Sequence, residues 1–185
     1  MKRLIFLLEE PSTEEMLKGV LPRLLPVDVY PEFKVFERKQ DLEKRLAQTL
    51  KAWRAPHCAF VVIRDQDSGD CHVIKQKLID LCRQANRSDV LIRVACRELE
   101  SFYLGDLAAV EKGLGIFGLA RKQNNRKYRA PDKIGSPSWE LGQLTAGIYK
   151  KLAGSRAIAP YLEIEANKSH SFKILLAGIR KLVET

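Results

Sequence analysis

Over the first hundred positions, apolar residues switch repeatedly between strand-like and helix-like spacing. Residues 3–8 form an apolar run without helical period, closed by Glu10 and Pro11, and read as a buried strand. Ser12 and Glu15 then make a capping box, and Met16, Leu17, Val20 and Leu24 recur at helical spacing, so a helix opens there and is kinked or ended at Pro22. Residues 27–36 alternate loosely, with Pro31 assigning that strand to an edge. Leu42, Leu46, Leu50 and Trp53 share one face of a second helix. Residues 59–63, rich in β-branched and aromatic side chains, read as a central strand. Ile74, Leu78, Leu81 and Cys82 mark the inward face of a third helix, residues 90–95 a fourth strand, and residues 98–104 a return to helix.

Strands that alternate with helices imply a parallel or mostly parallel sheet with right-handed crossovers, so the fold class is α/β. Beyond Tyr103 the strand signal fades. Residues 106–114, 139–152, 156–162 and 172–183 read as helices, and 113–137, rich in Gly, Asn, Lys and Arg, as a long loop. The expected organisation is an α/β core over residues 1–105, with a basic loop and helical C-terminal extension over 106–185 packed on it as a single compact unit.

Composition narrows the class. With 45% hydrophobic and 30% charged residues, the chain belongs with ordinary soluble globular proteins. The apolar run at residues 4–8 is too short for a signal peptide or a membrane span, and no other stretch nears ~18 apolar residues, so a soluble cytoplasmic protein is expected, with no membrane partner. Cys58, Cys71, Cys82 and Cys96 form no CxxC pair and read as reduced core residues. His57-Cys58 and Cys71-His72 match no common zinc spacing. Charge is uneven: residues 1–100 carry 18 basic and 16 acidic side chains (+2), and residues 101–185 carry 14 and 7 (+7). That asymmetry points to a polyanionic partner for the C-terminal part, nucleic acid before membrane.

In open α/β sheets, functional groups gather beyond the carboxyl ends of the strands. Those ends are acidic here: Glu9 and Glu10 follow the first strand, Asp65, Asp67 and Asp70 the third, and Glu98 and Glu100 the fourth. A single acidic residue at such a place is most simply a loop or cap residue, and Glu10 and Asp70 are read that way. Jointly, carboxylates from three neighbouring strands would repel one another, and a divalent cation would resolve the conflict. All-oxygen ligation suits Mg²⁺ or Mn²⁺, which polarises a phosphoryl oxygen and activates water. Asp65 and Asp67, two apart, face one metal if the chain stays extended, and Glu9 serves as ligand or general base. The densest basic run contains Arg121, Lys122, Arg126, Lys127, Arg129 and Lys133 with Tyr128 inside it. Arg126, Lys127 and Arg129 are candidates for phosphate contacts and Tyr128 for base stacking, the competing reading being a solvated flexible loop. Arg156, after Gly154 and Ser155, is a further phosphate-binding candidate near a helix N-terminus.

A glutamate after one strand and DxD after another is the TOPRIM order, and Leu8-Glu9-Glu10-Pro11-Ser12 and Arg64-Asp65-Gln66-Asp67-Ser68-Gly69-Asp70 look like its two motifs. Residues 96–106 (CRELESFYLGD) and 154–160 (GSRAIAP) resemble, more specifically, a bacterial TOPRIM-like family of previously unknown function that includes RloG and the AriB-like effector of the PARIS anti-phage system. The resemblance implies a TOPRIM-like, Rossmann-like sheet flanked by helices. It also implies a metal-binding catalytic set of Glu9, Asp65 and Asp67, with Glu98 or Glu100 adding a carboxylate. Where the wider motif has Gly after its glutamate, this chain has Glu10.

The function expected is thus a Mg²⁺- or Mn²⁺-dependent TOPRIM nuclease acting on DNA or RNA, as a phage-defence effector. It would work beside a regulatory partner such as a defence ATPase and as a homo-oligomer. The competing readings are a non-catalytic nucleic-acid-binding or sensing module of the same fold, and a phosphoryl-transfer enzyme of aspartate-phosphatase type. The phosphatase class places its DxD after the first strand, whereas here the motif follows the third.

Overall fold

The computed structural model describes residues 2–184. Four strands, β1 (Lys2–Leu8), β2 (Val29–Val35), β3 (Cys58–Asp65) and β4 (Leu91–Ala95), form one sheet in the order β2-β1-β3-β4 with every pairing parallel. β2 is the edge strand that Pro31 requires, since proline has no N–H for a second neighbour. β3 is central, pairing with β1 on one side and β4 on the other.

Strand alternation sorts side chains onto two faces. Ile5, Leu7, Phe60 and Val62 face α2 (Lys39–Ala52) and α3 (Cys71–Gln84), meeting Leu42, Leu46, Leu50, Ile74, Leu78 and Cys82. Leu4, Phe6, Leu8, Val61 and Ile63 face the other way. They join one apolar cluster with α1 (Pro11–Val20), α4 (Glu100–Leu104), α5 (Leu107–Leu114) and α8 (His170–Glu184). This cluster runs from Leu4 to Ile179, so the helical extension shares its core with the sheet.

Four local expectations are corrected. α1 starts at Pro11, a residue preset for the first helical position, and Ser12 Oγ donates back to Glu10 instead of closing a capping box with Glu15. The stretch 139–152 is not one helix: α6 (Pro137–Leu144) stops where Ala146 (φ 50) and Gly147 (φ 78) enter the left-handed region, and Gly147 N–H donates to Gly142 O. α7 (Lys151–Ile158) therefore contains Arg156 in its last turn, and residues 156–162 are no separate helix. Of the cysteines, all free, only Cys82 is buried; Cys58, Cys71 and Cys96 lie half-covered at element ends.

The basic stretch before α6 is tied down at several points and includes two short 3-10 turns, Ala120–Asn124 and Pro131–Lys133. Gln123 accepts from Leu107 N–H and donates to the carbonyls of Leu104 and Tyr128. Asp132 accepts from Ser169 Oγ and Ser171 N–H, fastening the stretch to the start of α8. Among the described residues no helix is long and apolar enough to cross a membrane.

Candidate active site

β1 and β3 end side by side, Leu8 opposite Ile63 in register. Continuing the alternation by two residues assigns Glu10 and Asp65 to the face of α1 and α7, and Glu9 and Arg64 to the face of α2 and α3. The side chains follow that division. Glu10 accepts from Ser12 Oγ and pairs with Lys151 Nζ at 2.5 Å. Glu9 accepts the Asp65 N–H at 3.1 Å and lies 3.9 Å from Arg64 Nε, whose guanidinium also pairs with Glu43.

Asp65 is 6% exposed, and no donor lies against its carboxylate among the described residues. Burial holds its pKa well above the carboxylate range. Glu10 and Glu100 push it further, while Lys151 pulls the other way. Glu100, the first residue of α4, is fully buried; its Oε1 accepts from the Tyr149 hydroxyl at 3.0 Å and its Oε2 has no partner. Burial raises this carboxyl as well, against the counter-pull of Lys151. Lys151 opens α7; burial alone would weaken its proton, but Glu10 and then Glu100 and Asp65 hold it firmly charged. Three carboxylates and one ammonium thus influence one another at the carboxyl end of the central strand. Lys151 is the member that sequence reasoning missed, and Glu10 the one it read as a loop or cap residue.

Asp67 goes elsewhere. The chain does not stay extended after Asp65: Asp67 adopts φ 55, Gly69 N–H closes a turn onto Gln66 O, and the Asp67 carboxylate pairs with Lys39 of α2 at 2.8 Å. It adds to the repulsion that, after burial, raises Glu9. Glu98 accepts the Ser138 N–H at 2.6 Å and so serves the start of α6, and Asp70 caps α3 through His72 and Val73 N–H. Because partners draw these groups apart, no three His, Cys, Asp or Glu side chains among the described residues stand close enough to form a ready metal group. The donor chemistry nevertheless fits a hard divalent cation. Glu100 Oε2 is a buried carboxylate oxygen without a donor, a costly condition that cation binding relieves, and the largely buried Asp65 carboxylate stands beside it.

Tyr149→Phe would take from the buried Glu100 carboxylate its side-chain donor. We expect a loss of about 1–3 kcal/mol in stability, larger at pH 8 than at pH 5, because the hydroxyl favours the ionised carboxyl over the protonated one. Thermal melts at the two pH values measure it.

The basic candidates divide. Tyr128 is 7% exposed and its hydroxyl donates to Glu140, so it is a core residue and not a stacking platform. Lys127 pairs with Glu140 as well. Arg156 pairs with Glu15 at 2.5 Å from the C-terminal turn of α7, not from that helix's N-terminus. Gly154 and Ser155 are interior helix positions, Gly154 lying so close to the Tyr149 ring that a Cβ would meet it at 2.4 Å. Arg126 and Arg129 are exposed, Arg126 lining a cleft.

Residues 8–180 match a family model described as Domain of unknown function (DUF4276). No curated protein matches the chain closely enough to count as a relative. Among solved structures, the C-terminal region of the OLD protein of Xanthomonas campestris pv. campestris is similar over 100% of this chain and 97% of that one, at 13% identity and a TM-score of 0.52. That likeness concerns the fold. Both have the α/β arrangement, here a parallel sheet with flanking helices and a helical extension.

Proposed function

We propose that this chain, which belongs to the DUF4276 family of unknown function, is a metal-dependent TOPRIM-type nuclease that cuts phosphodiester bonds of nucleic acid. One observation carries the reading: Asp65, 6% exposed and without a donor, ends the central strand with Glu10 and Glu100 acting on it. Burying mutually repelling carboxylates is costly for folding alone, and perturbed groups of this kind concentrate at functional sites. Asp65 and Glu100, with Glu10 on their face and Glu9 on the other, would hold Mg²⁺ or Mn²⁺. Bound there, the ion supplies Lewis-acid polarisation of a phosphoryl oxygen and a more acidic water.

The chain's own groups do the rest. Lys151, half-exposed and firmly protonated, presents positive charge to a phosphate arriving at the cluster and leaves Glu10 as it does so. Glu9, its pKa raised by burial, is placed to take a proton at its carboxylate. Asp67 and Glu98, already engaged with Lys39 and Ser138, orient the surrounding loop and α6. A cytoplasmic phage-defence role, a regulatory partner such as a defence ATPase, and a homo-oligomeric state complete the reading and rest on the sequence resemblance.

The neutralisation of Glu10 by Lys151 and of Asp67 by Lys39 favours a second reading, a non-catalytic nucleic-acid-binding module. Cleavage of labelled single-stranded DNA, plasmid DNA and total tRNA separates the two, with Mg²⁺, Mn²⁺ or EDTA, beside an Asp65→Ala/Asp67→Ala double variant. The nuclease reading requires cutting that needs metal and is lost in the variant. Equal cutting by both proteins, or none by either under any of these conditions, sinks it.

A further inference from the structure

We infer that the cleft beside α6 is a binding site for an unpaired nucleotide, with the Trp139 indole as its stacking platform, so that the chain engages single-stranded segments of nucleic acid in preference to duplex. As to substrate class this rests on the nuclease reading above; as to binding it stands by itself. The cleft has a volume of about 830 Å³ and is lined by Arg126, Lys127, Lys133, Gly135, Ser136 and Trp139 among others. Trp139 is 63% exposed on the first turn of α6 and presents its indole to the cleft beside the arginine and lysine walls.

The chemistry of the walls selects the occupant. Arg126 and Lys133 are exposed and their charges face no carboxylate across the cleft. Its one acid, Glu140, is already neutralised by Lys127 and hydrogen-bonded by the Tyr128 hydroxyl. The region belongs to the part of the chain with a +7 charge. Cations that contact phosphate beside an open aromatic face are the components of single-strand recognition. The indole face accepts only a base whose own face is free; within a duplex both faces are covered by neighbouring pairs.

The segment lining the cleft is anchored to the body of the fold. Tyr128 to Glu140, Gln123 to Leu107 and Asp132 to Ser171 tie down the segment that carries the basic side chains. Ser138, the neighbour of Trp139, donates its N–H to Glu98, two residues before Glu100. The first turn of α6, which carries Trp139, is thereby tied to the segment that leads into Glu100.

The test needs no cleavage. The chain has two tryptophans, so a Trp53→Phe variant makes Trp139 the sole reporter of fluorescence. In EDTA, a single strand of about 12 nucleotides, as DNA and as RNA, should quench that emission, and a blunt duplex of the same sequence should not. By anisotropy of labelled oligonucleotides, Trp139→Ala should weaken single-strand binding about ten- to a hundredfold while leaving duplex binding and the melting midpoint unchanged. Trp139→Phe should restore most of it. Arg126→Ala/Lys133→Ala should weaken both ligands and flatten the salt dependence. Unaltered single-strand affinity in Trp139→Ala, or equal losses for single strand and duplex, overturns the inference. Trp139-dependent binding without cleavage of any substrate would count against the nuclease reading alone.

Discussion

Asp65→Asn is expected to abolish cleavage and, in the absence of metal, to raise the melting temperature. On the functional side, losing the carboxylate that ends the central strand should lower activity by on the order of a thousandfold, the scale of removing a preorganised charged group. On the stability side, the folded protein holds the Asp65 proton more tightly than the unfolded chain does, because burial and then Glu10 and Glu100 disfavour the charge. The native state therefore binds the extra proton. The contribution of Asp65 is fully present below the unfolded carboxylate pKa, and it declines as pH rises through the elevated folded value. At pH 7–8 the asparagine removes a penalty, for a gain of about 1–2 kcal/mol, or roughly 2–8 °C at this chain length. Near pH 4 the gain should vanish. Melts of parent and variant in EDTA across that range check it, and a variant less stable at every pH would show that Asp65 is a structural anchor.

Phe102→Ala should produce the largest loss of stability. Phe102 is 1% exposed, and its ring lies 5.1 Å from that of Phe172, joining α4 at the active-site end to α8 of the extension. Truncating a buried Phe costs about 3–5 kcal/mol, a large share of the total of about 5–15 kcal/mol typical of a native protein. Because one apolar cluster runs from Leu4 to Ile179, the variant should still melt in a single transition at lower temperature. Two separated transitions in urea or heat would show that the core over residues 1–105 and the extension fold independently.

The sheet was largely legible in the sequence because its signals are local. Period-two alternation, the β-branched run of β3 and the proline of β2 each act within a few residues, and all four strands fall where those patterns put them. The α6–α7 break was hidden, since Ala146 carries no sign that its φ is positive and Gly147 alone does not end a helix. At the site, the convergence of Asp65 and Glu100 followed from strand ends, but the partners did not. Lys151 arrives from a helix 86 positions after Asp65, a juxtaposition that no local pattern encodes. The place of Glu10 was there to be read. Leu4, Phe6 and Leu8 share a face with Val61 and Ile63, so two further residues bring Glu10 onto the face of Asp65. The expectation for Asp67 failed because it assumed an extended chain, which the turn at Gln66–Gly69 abolishes. Tyr128 looked like a stacking residue because it sits among cations; its partner Glu140 buries it, and Trp139 holds the exposed place instead.

Asp65 and its neighbouring carboxylates are proposed to form a divalent-cation site. Titration of the purified protein with Mn²⁺, followed by electron paramagnetic resonance of the free ion and by the shift in melting midpoint, tests it without need of a substrate. Saturable binding by the parent with a rise in melting temperature is expected, and neither in Asp65→Asn, although that variant is the more stable without metal. Equal Mn²⁺ binding by parent and variant, or none by the parent, would contradict it.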